Sequence, residues 1–342
     1  MITTPRILLL YTGGTIGMRR DPETGYLIPF NFNNLLQQIP ELGMLNCTID
    51  TDSLDDPIDS SNMKPEIWVR LAERIKQDYN AYDGFVILHG SDTMAYTASA
   101  LSFLLENLSK PVILTGSQLP IGIPRSDAKE NLITTVEVAA AKNADGSAKV
   151  PEVCVYFEYK LYRGNRTHKI STEAFEAFDS LNYPALAQAG VNLRYNTLMV
   201  HRPNGKKLQV HTSVDARVGV ATLFPGMTQD YINCIFNNPG LKAVIIRTFG
   251  SGNAPMDEWF IKLIQQVGAR GLYMINVSQC LGGAVAQDKY ESGKALHEAG
   301  VISGHDITFE SALTKCMFLL GQNLTPEQFR IQFTTNLRGE LS

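Results

Sequence analysis

Short apolar runs alternate along the chain with longer segments in which apolar residues recur every three or four positions. Runs of the first kind are typical of strands buried in a parallel sheet, and segments of the second kind are typical of amphipathic helices. Residues 64–78 show the helical spacing, because Ile67, Leu71 and Ile75 are each four residues apart. In this half of the chain the pattern predicts strands over 6–11, 84–89, 111–114 and 153–159, and helices over 64–78, 93–107 and 126–143.

Between residues 188 and 211 the pattern becomes polar and rich in turn residues, and we interpret this part as a linker. The alternation then resumes, with predicted strands over 218–223, 243–247 and 272–277 and helices over 228–237, 256–269, 310–320 and 326–336. Alternating strands and helices predict an α/β fold with parallel sheets and right-handed crossovers. We expect a larger N-terminal parallel-sheet domain (1–190), a linker (191–212) and a smaller, flavodoxin-like C-terminal α/β domain (213–342).

Composition places the chain among ordinary globular proteins, with 342 residues, of which 44% are hydrophobic and 19% charged. The net charge is -4, and Lys and Arg nowhere form a run longer than a pair, so we expect no nucleic-acid partner. The apolar run Ile7–Leu10 is too short for a signal peptide, and no stretch is long enough to span a membrane. These features predict a cytoplasmic protein without a membrane partner.

Cysteines and histidines give no sign of a metal site. The five cysteines are far apart and form no CxxC pair, and the six histidines form no HExxH motif. This spacing is typical of reduced thiols in a cytosolic protein. We therefore expect neither a metal nor another cofactor.

Three predicted strands of the N-terminal domain end in polar, glycine-containing turns. Their sequences are Thr12-Gly13-Gly14-Thr15, His89-Gly90-Ser91-Asp92-Thr93 and Thr115-Gly116-Ser117-Gln118. Each has an ordinary explanation, as a tight turn or as a helix cap. The glycine spacing does not match a nucleotide-binding loop. Because ligands bind at the carboxyl ends of parallel strands, the three turns together predict the polar floor of one binding site.

Two further segments fit a site for an amino acid. Residues 59–62 (Asp-Ser-Ser-Asn) precede a predicted helix, so they are either a helix cap, with Asn62 a good candidate, or a site for the charged ends of a ligand. Residues 161–169 follow the strand 153–159 and are basic, as a solvated loop would be. A lysine from this loop placed near Asp92 would instead have a tuned pKa and act as a proton acceptor.

The segments Thr12–Ile16 and Gly84–Met94 resemble the two signatures of the bacterial-type asparaginase/glutaminase family, and within it the cytosolic type I L-asparaginases. The resemblance continues through residues 115–118, 161–169, 249–253 and 336–341, and so covers essentially the whole chain. It implies an amidohydrolase that converts L-asparagine to L-aspartate and ammonia.

The resemblance also implies roles for individual residues. Thr15 matches the nucleophile and Tyr26 a mobile tyrosine that supports it. Ser91, Asp92 and Lys169 match a hydroxyl–carboxylate–lysine triad. The α-amino and α-carboxylate groups of the substrate would be held by Asp59, Ser60 and Ser61 together with Asp92. Asn253 and Glu310 match residues that complete the site from a neighbouring subunit, in a homotetramer built from two dimers.

Two positions depart from the family pattern. Ser91 stands where threonine is usual, so the hydroxyl is kept but the methyl group that restricts χ1 is lost. We expect reduced activity at most, and not a different reaction. Arg247 and Cys280 match an additional asparagine site of some type I enzymes, but His168 replaces the usual threonine there, which argues against activation by asparagine.

Several alternatives stay open from the sequence. Thr15 attacks the amide and forms a β-aspartyl ester, or Ser91 and Lys169 activate water for direct attack. Asparagine and glutamine differ by one methylene, so a glutaminase-asparaginase is a close alternative. An ammonia-supplying amidotransferase subunit would usually carry an additional N-terminal domain. A non-catalytic sensor on the same scaffold is the alternative from another functional class.

Overall fold

The computed structural model describes residues 4–20, 24, 27–29, 39–289 and 291–342. The chain divides into two compact units, Met1–Thr212 and Ser213–Ser342. In the first unit the described strands are β1 (Arg6–Tyr11), β2 (Met18–Arg20), β3 (Leu27–Pro29), β4 (Thr48–Ser53), β5 (Gly84–Leu88), β6 (Leu105–Glu106), β7 (Val112–Thr115), β8 (Val153–Phe157), β9 (Lys160–Arg163), β10 (His168–Lys169), β11 (Phe178–Asp179), β12 (Ala187–Gln188), β13 (Arg194–Tyr195) and β14 (Gln209–Val210). Its α-helices are α1 (Pro65–Asp78), α2 (Met94–Leu104) and α3 (Ala128–Ala140).

The main sheet of the first unit has eight strands in the order β13-β12-β9-β8-β7-β5-β1-β4. The strands β4, β1, β5, β7 and β8 run parallel, which confirms the predicted parallel sheet. The antiparallel extension through β9, β12 and β13 was not predicted. The chain reverses at Glu158 and Tyr159, whose φ angles are 41° and 69°. Neither is glycine, so the sequence carries no clear signal of this turn.

The two strands β1 and β5 lie side by side between β4 and β7 and are covered by the core of this unit. Every residue of β5 is buried, and so is every residue of β1 after Arg6. The apolar face of α1 is buried, and so is every residue of α2 except the half-buried Tyr96. This arrangement brings the carboxyl ends of β1, β5 and β7 to one edge of the sheet.

Residues 191–212, predicted as a linker, contain two strands that pair within the first unit. The strand β13 pairs with β12, and β14 pairs with β6. The pairing of β6 also explains why α2 ends at Leu104, three residues before the predicted end. These short strands were missed because their sequences are polar and flanked by turn residues.

The second unit contains a four-stranded parallel sheet in the order β15-β16-β17-β18. Its elements are β15 (Val218–Thr222), α4 (Gln229–Phe236), β16 (Ala243–Thr248), α5 (Glu258–Ala269), β17 (Tyr273–Ser278), α6 (Glu291–Glu298), β18 (Ile302–Ser303), α7 (Phe309–Leu320) and α8 (Pro326–Thr334). The elements α6 and β18 were not predicted. Within the described ranges, no helix is both long and apolar enough to cross a membrane.

A buried ion pair fastens the C-terminal segment of this unit. Lys315 on α7 pairs with Glu340, and both side chains are fully buried. The Lys315 Nζ atom also donates to the carbonyl oxygens of Phe333 at 2.8 Å and Thr335 at 2.7 Å. With its donors satisfied in this way, the lysine holds residues 336–341 against the unit, since a buried charge without partners would be costly.

Candidate active site

Glycines bring the first two polar turns into direct contact. Gly14 follows β1 with φ 93°, and a Cβ atom at this position would lie 2.5 Å from the Cα atom of Gly90. A Cβ atom at Gly90 would in turn lie 2.5 Å from the Ser60 Oγ atom. Because real Cβ atoms do not approach other atoms so closely, only glycine fits at both positions.

Hydrogen bonds join the same segments. The Thr12 hydroxyl donates to the carbonyl oxygen of Leu88 at 2.9 Å, which links the ends of β1 and β5. The Thr93 hydroxyl donates to the carbonyl oxygen of Ser60 at 2.8 Å. The turns after β1 and β5 and the segment 59–62 therefore form one continuous floor, as the sequence predicts for a site at this edge of the sheet.

Lys169 contacts two polar side chains of the second turn, Ser91 and Asp92. Its Nζ atom lies 2.9 Å from Ser91 Oγ and 2.6 Å from Asp92 Oδ1. The lysine side chain is 15% exposed, whereas the Asp92 side chain is 64% exposed and faces the solvent side of the cluster. Lys169 is placed there by the strand β10, which pairs with β11. The three residues assigned to the triad thus lie together.

The side chains of the second turn do not cap a helix. Ser91–Thr93 forms a short 3-10 turn, and neither it nor α2 receives a side-chain capping hydrogen bond. In the other polar segment, Asp59 accepts a hydrogen bond from the Ser61 N–H at 2.9 Å and caps the 3-10 turn that follows. Asn62 is not the cap of α1, because the capping position of that helix is Lys64.

The remaining residues predicted for the first unit are placed as follows. Thr15 begins a 3-10 turn directly after Gly14 and is half-buried. Ser60 is buried, while Asp59 and Ser61 are exposed. Tyr26 lies outside the described residues. Thr15, Ser60 and Ser91 are therefore all presented by the glycine-packed turns at the sheet edge.

His89 supports the second turn from inside the core. It is buried, and its Nδ1 and Nε2 atoms lie 2.7 Å from the carbonyl oxygen of Gly90 and 2.9 Å from the Thr97 hydroxyl. Burial lowers the pKa of His89 to about 4, so the ring is neutral at pH 7. A neutral ring with Nδ1–H donates to Gly90 and accepts from Thr97, which fixes the peptide next to Ser91.

A polar pair at the start of α3, formed by the N-cap residue Asp127 and by Asn131 in the first turn, holds the third polar turn, and the sequence analysis missed it. The buried Asp127 carboxylate accepts the N–H groups of Gln118 at 2.8 Å and Leu119 at 3.1 Å. Asn131, also buried, donates to the carbonyl oxygen of Gly116 at 3.0 Å. The available signal was the spacing of four, which puts two polar residues on a helix face that packs against the sheet.

Asn131 also connects this turn to an acidic residue with a raised pKa. Its Oδ1 atom accepts the N–H of Glu158 at 2.9 Å. Burial, with a further contribution from the neighbouring charges of Asp127, Glu130 and Glu176, raises the pKa of Glu158 to about 7. The folded protein therefore takes up a proton at this position between pH 4.5 and 7, whereas the unfolded chain stays ionised.

Replacing Glu158 with glutamine is expected to stabilise the protein at high pH. Ionisation of Glu158 destabilises the folded state. This destabilisation is absent below pH 4.5, grows as the pH rises and is complete above about pH 7, where the variant should have a free energy of unfolding about 1–2 kcal/mol higher than the wild type. Thermal unfolding of both proteins at a series of pH values checks this. The exposed Glu173→Gln variant is the control and should show no such trend. A Glu158→Gln effect that does not vary with pH would contradict the assignment.

In the second unit, the residues predicted to complete the site lie on a turn and on a helix. Asn253 ends the turn 249–253, and its Oδ1 atom accepts the Ser292 hydroxyl at 3.1 Å. The buried Asn276 donates to the carbonyl oxygen of Gly252 at 3.1 Å and thereby holds this turn. Glu310 lies in the first turn of α7 and is half-buried.

The residues of the predicted regulatory site are distributed over both units. Arg247 is the penultimate residue of β16 and lies over the Phe309 ring, with its guanidinium carbon 4.6 Å from the ring centroid. Cys280 is exposed and follows β17. His168 is buried in the first unit, beside Lys169. Among the described residues, no group of three or more His, Cys, Asp or Glu side chains is arranged to hold a metal ion.

The first unit therefore presents a threonine on a glycine turn that packs against a second turn, and a serine hydroxyl of that second turn contacts a lysine. Side-chain hydroxyls with an adjacent proton acceptor are what amide hydrolysis through a side-chain nucleophile requires. The molecule falls in the class of two-domain α/β amidohydrolases.

Residues 6–201 match the family model described as Asparaginase, N-terminal, and residues 217–333 match the Glutaminase/Asparaginase C-terminal domain. The chain belongs to the asparaginase family, which confirms the resemblance seen in its sequence.

Relatives along the whole chain agree with this family. The chain is 44% identical to L-asparaginase 1 of Escherichia coli (strain K12), over 98% of both chains. Its fold superimposes on L-asparaginase I from Vibrio cholerae with a TM-score of 0.90 and 39% identity, covering 99% of this chain and 100% of the other. The L-asparaginase of Thermococcus kodakarensis gives a TM-score of 0.88 and 32% identity, covering 98% and 99%.

Proposed function

We propose that this protein is an L-asparaginase, which hydrolyses the side-chain amide of L-asparagine to L-aspartate and ammonia with Thr15 as the nucleophile. The observation that carries the proposal is the contact of Lys169 with Ser91 and Asp92 on the floor that also presents Thr15. The names of its relatives, which include L-asparaginases from three organisms, support the same substrate.

In the covalent route, Thr15 Oγ attacks the side-chain carbonyl carbon of asparagine. The hydroxyl proton passes to the Ser91–Lys169 pair or to Tyr26, and the C–N bond then breaks as the nitrogen takes up a proton and leaves as ammonia. Water hydrolyses the resulting β-aspartyl ester and restores the threonine. In the alternative route, Ser91 and Lys169 activate water directly. The Lys169–Ser91 contact serves both routes, and the two differ in whether an ester forms on Thr15.

The polar floor offers partners for the charged ends of the substrate. The exposed carboxylates of Asp92 and Asp59 suit the α-ammonium group, and Ser60 and Ser61 suit the α-carboxylate. Asn253 and Glu310 of a second copy would complete the site. This assignment predicts that substrate affinity depends on assembly of the chain.

We further propose that the enzyme is a homotetramer built from two dimers and resides in the cytoplasm. Large apolar side chains are exposed on the first unit, where Val191 and Leu198 are 103% and 84% exposed, and such surfaces favour association. Sedimentation velocity across a dilution series would measure the assembly. A monomer with full activity would contradict a shared site.

The proposed function is tested by measuring ammonia release from L-asparagine and L-glutamine with the purified full-length protein. A pocket distinguishes one methylene by about 1–3 kcal/mol, so asparagine should be preferred by roughly 10- to 200-fold in kcat/KM. Mass spectrometry of protein quenched during turnover would detect the ester on Thr15. Equal rates with both amides would favour a glutaminase-asparaginase, and no turnover with either would favour a sensor.

We expect that asparagine does not activate the enzyme. His168 is buried and replaces the threonine expected beside Arg247 and Cys280 in an additional asparagine site. Initial rates should therefore depend hyperbolically on the asparagine concentration. A sigmoidal dependence would show that these three residues form a regulatory site despite the replacement.

A further inference from the structure

We propose that Gln118 is a positioning residue for the proposed reaction: its amide oxygen accepts a hydrogen bond from the Ser91 hydroxyl and so holds the serine side chain against Lys169. The inference rests on the proposed function, because it concerns the Ser91–Lys169 pair. It is carried by a ring of contacts that joins the third polar turn to the loop after Lys169.

Ser91 needs a second contact to hold its hydroxyl. Serine has no γ-methyl group, so its χ1 angle samples rotamers that a β-branched threonine would exclude. Lys169 Nζ lies 2.9 Å from Ser91 Oγ and donates a hydrogen bond to it. This contact uses the serine oxygen as an acceptor, so it does not orient the serine O–H. The Gln118 Oε1 atom lies 3.4 Å from Ser91 Oγ and is the acceptor toward which that proton points.

The side chain of Gln118 is anchored at its other end. Its Nε2 atom donates to the carbonyl oxygen of Ala174 at 3.0 Å. Since that carbonyl only accepts, the amide nitrogen faces Ala174 and the amide oxygen faces Ser91. The contacts therefore run in one direction, with Lys169 donating to Ser91, Ser91 to Gln118 and Gln118 to Ala174.

The fold also holds the backbone of Gln118 and of Ala174 in place. The backbone N–H of Gln118 donates to the buried Asp127 carboxylate at 2.8 Å. Ala174 lies five residues after Lys169, and its N–H donates to the Ser171 hydroxyl at 2.9 Å. The series of contacts thus begins at Lys169 on β10 and ends five residues later at Ala174, with Gln118 connecting this part of the chain to the Ser91 hydroxyl. Because Gln118 acts through Ser91, its loss should affect turnover more than substrate binding.

A double-mutant cycle of Gln118→Met and Ser91→Thr tests this role. Methionine has a similar length but no acceptor, so kcat for L-asparagine should fall about tenfold with KM changed less than about twofold. In the Ser91→Thr variant the methyl group restricts χ1 of residue 91. Adding Gln118→Met to this variant should therefore lower kcat by less than about threefold. Gln322→Met, which removes hydrogen bonds to two carbonyls in the second unit, is the matched control with unchanged kcat.

Three results would overturn the proposal. An equal loss in both backgrounds would show that Ser91 is not the group affected. A raised KM with unchanged kcat would make Gln118 a substrate contact. Crystal structures of the wild type and Gln118→Met give a readout that needs no turnover: we expect additional Ser91 rotamers in the variant, and one unchanged rotamer contradicts the role. Wild-type turnover of asparagine tests the proposed function separately from these comparisons.

Discussion

Replacing Thr15 with alanine is expected to lower kcat for L-asparagine by at least about 10⁴-fold while the protein stays folded. Thr15 begins a short turn at the sheet edge and is half-buried, and its backbone position is set by Gly14 rather than by its own side chain. Removing the hydroxyl therefore removes the attacking atom with little effect on packing. The measurement is ammonia release under single-turnover and steady-state conditions, together with the melting temperature.

Two matched variants make the result specific to the hydroxyl of Thr15. Thr15→Ser keeps the attacking atom and should retain measurable turnover. Thr228→Ala removes a hydroxyl that caps α4, so it should cost about 1 kcal/mol of stability without changing kcat. If Thr15→Ala kept wild-type turnover, the nucleophile would have to be water activated by Ser91 and Lys169, and the covalent route would be excluded.

Replacing Lys169 with methionine is expected to lower kcat by about 10²–10⁴-fold, the range of a lost proton-transfer group. Its ammonium lies within hydrogen-bond distance of Ser91 Oγ and Asp92 Oδ1, and methionine keeps only the apolar length of the side chain. The affinity for L-aspartate, measured by calorimetry, should change less than about tenfold because Asp92 and the segment 59–61 remain.

The same variant separates an enzyme from a non-catalytic sensor. A sensor would lose no turnover, whereas an enzyme should keep binding and lose the reaction. Lys169→Arg keeps the positive charge but does not release a proton near neutral pH, so it should be nearly as inactive as methionine if the lysine accepts protons. Lys129→Met, which breaks an exposed pair with Glu41, is the control. An active Lys169→Arg variant would show that only the charge matters.

The sequence predicted the parts of the fold that local pattern determines. The buried runs of β1, β5, β7 and β8 and the helices between them follow from apolar spacing alone. The edge strand β4 was missed because its sequence, Thr48–Ser53, is polar and only partly buried. The antiparallel strand β9 was missed because the turn before it uses Glu158 and Tyr159 in the left-handed region without glycine.

In the candidate site, too, local sequence patterns predict some residues and not others. Thr15, Ser91, Asp92 and Lys169 could be predicted because strand ends and the resemblance to the family mark them. Gln118 was placed in the third polar turn but given no role of its own, and Asp127 and Asn131 were not predicted, since their contacts are hydrogen bonds to backbone groups of other segments, which no local pattern encodes. Tyr26 stays a prediction, as it lies outside the described residues.

The contacts that assemble the polar floor join distant parts of the chain. Thr12 and Leu88 are separated by 76 residues, and Lys169 follows Ser91 by 78. Closing such long loops slows folding, and parallel pairing brings its partners together late. During synthesis on the ribosome Lys169 emerges long after Ser91, so a nascent chain that has reached only Ser91 lacks part of the candidate site. The return of ammonia release after dilution from denaturant should therefore lag behind the recovery of helical circular dichroism.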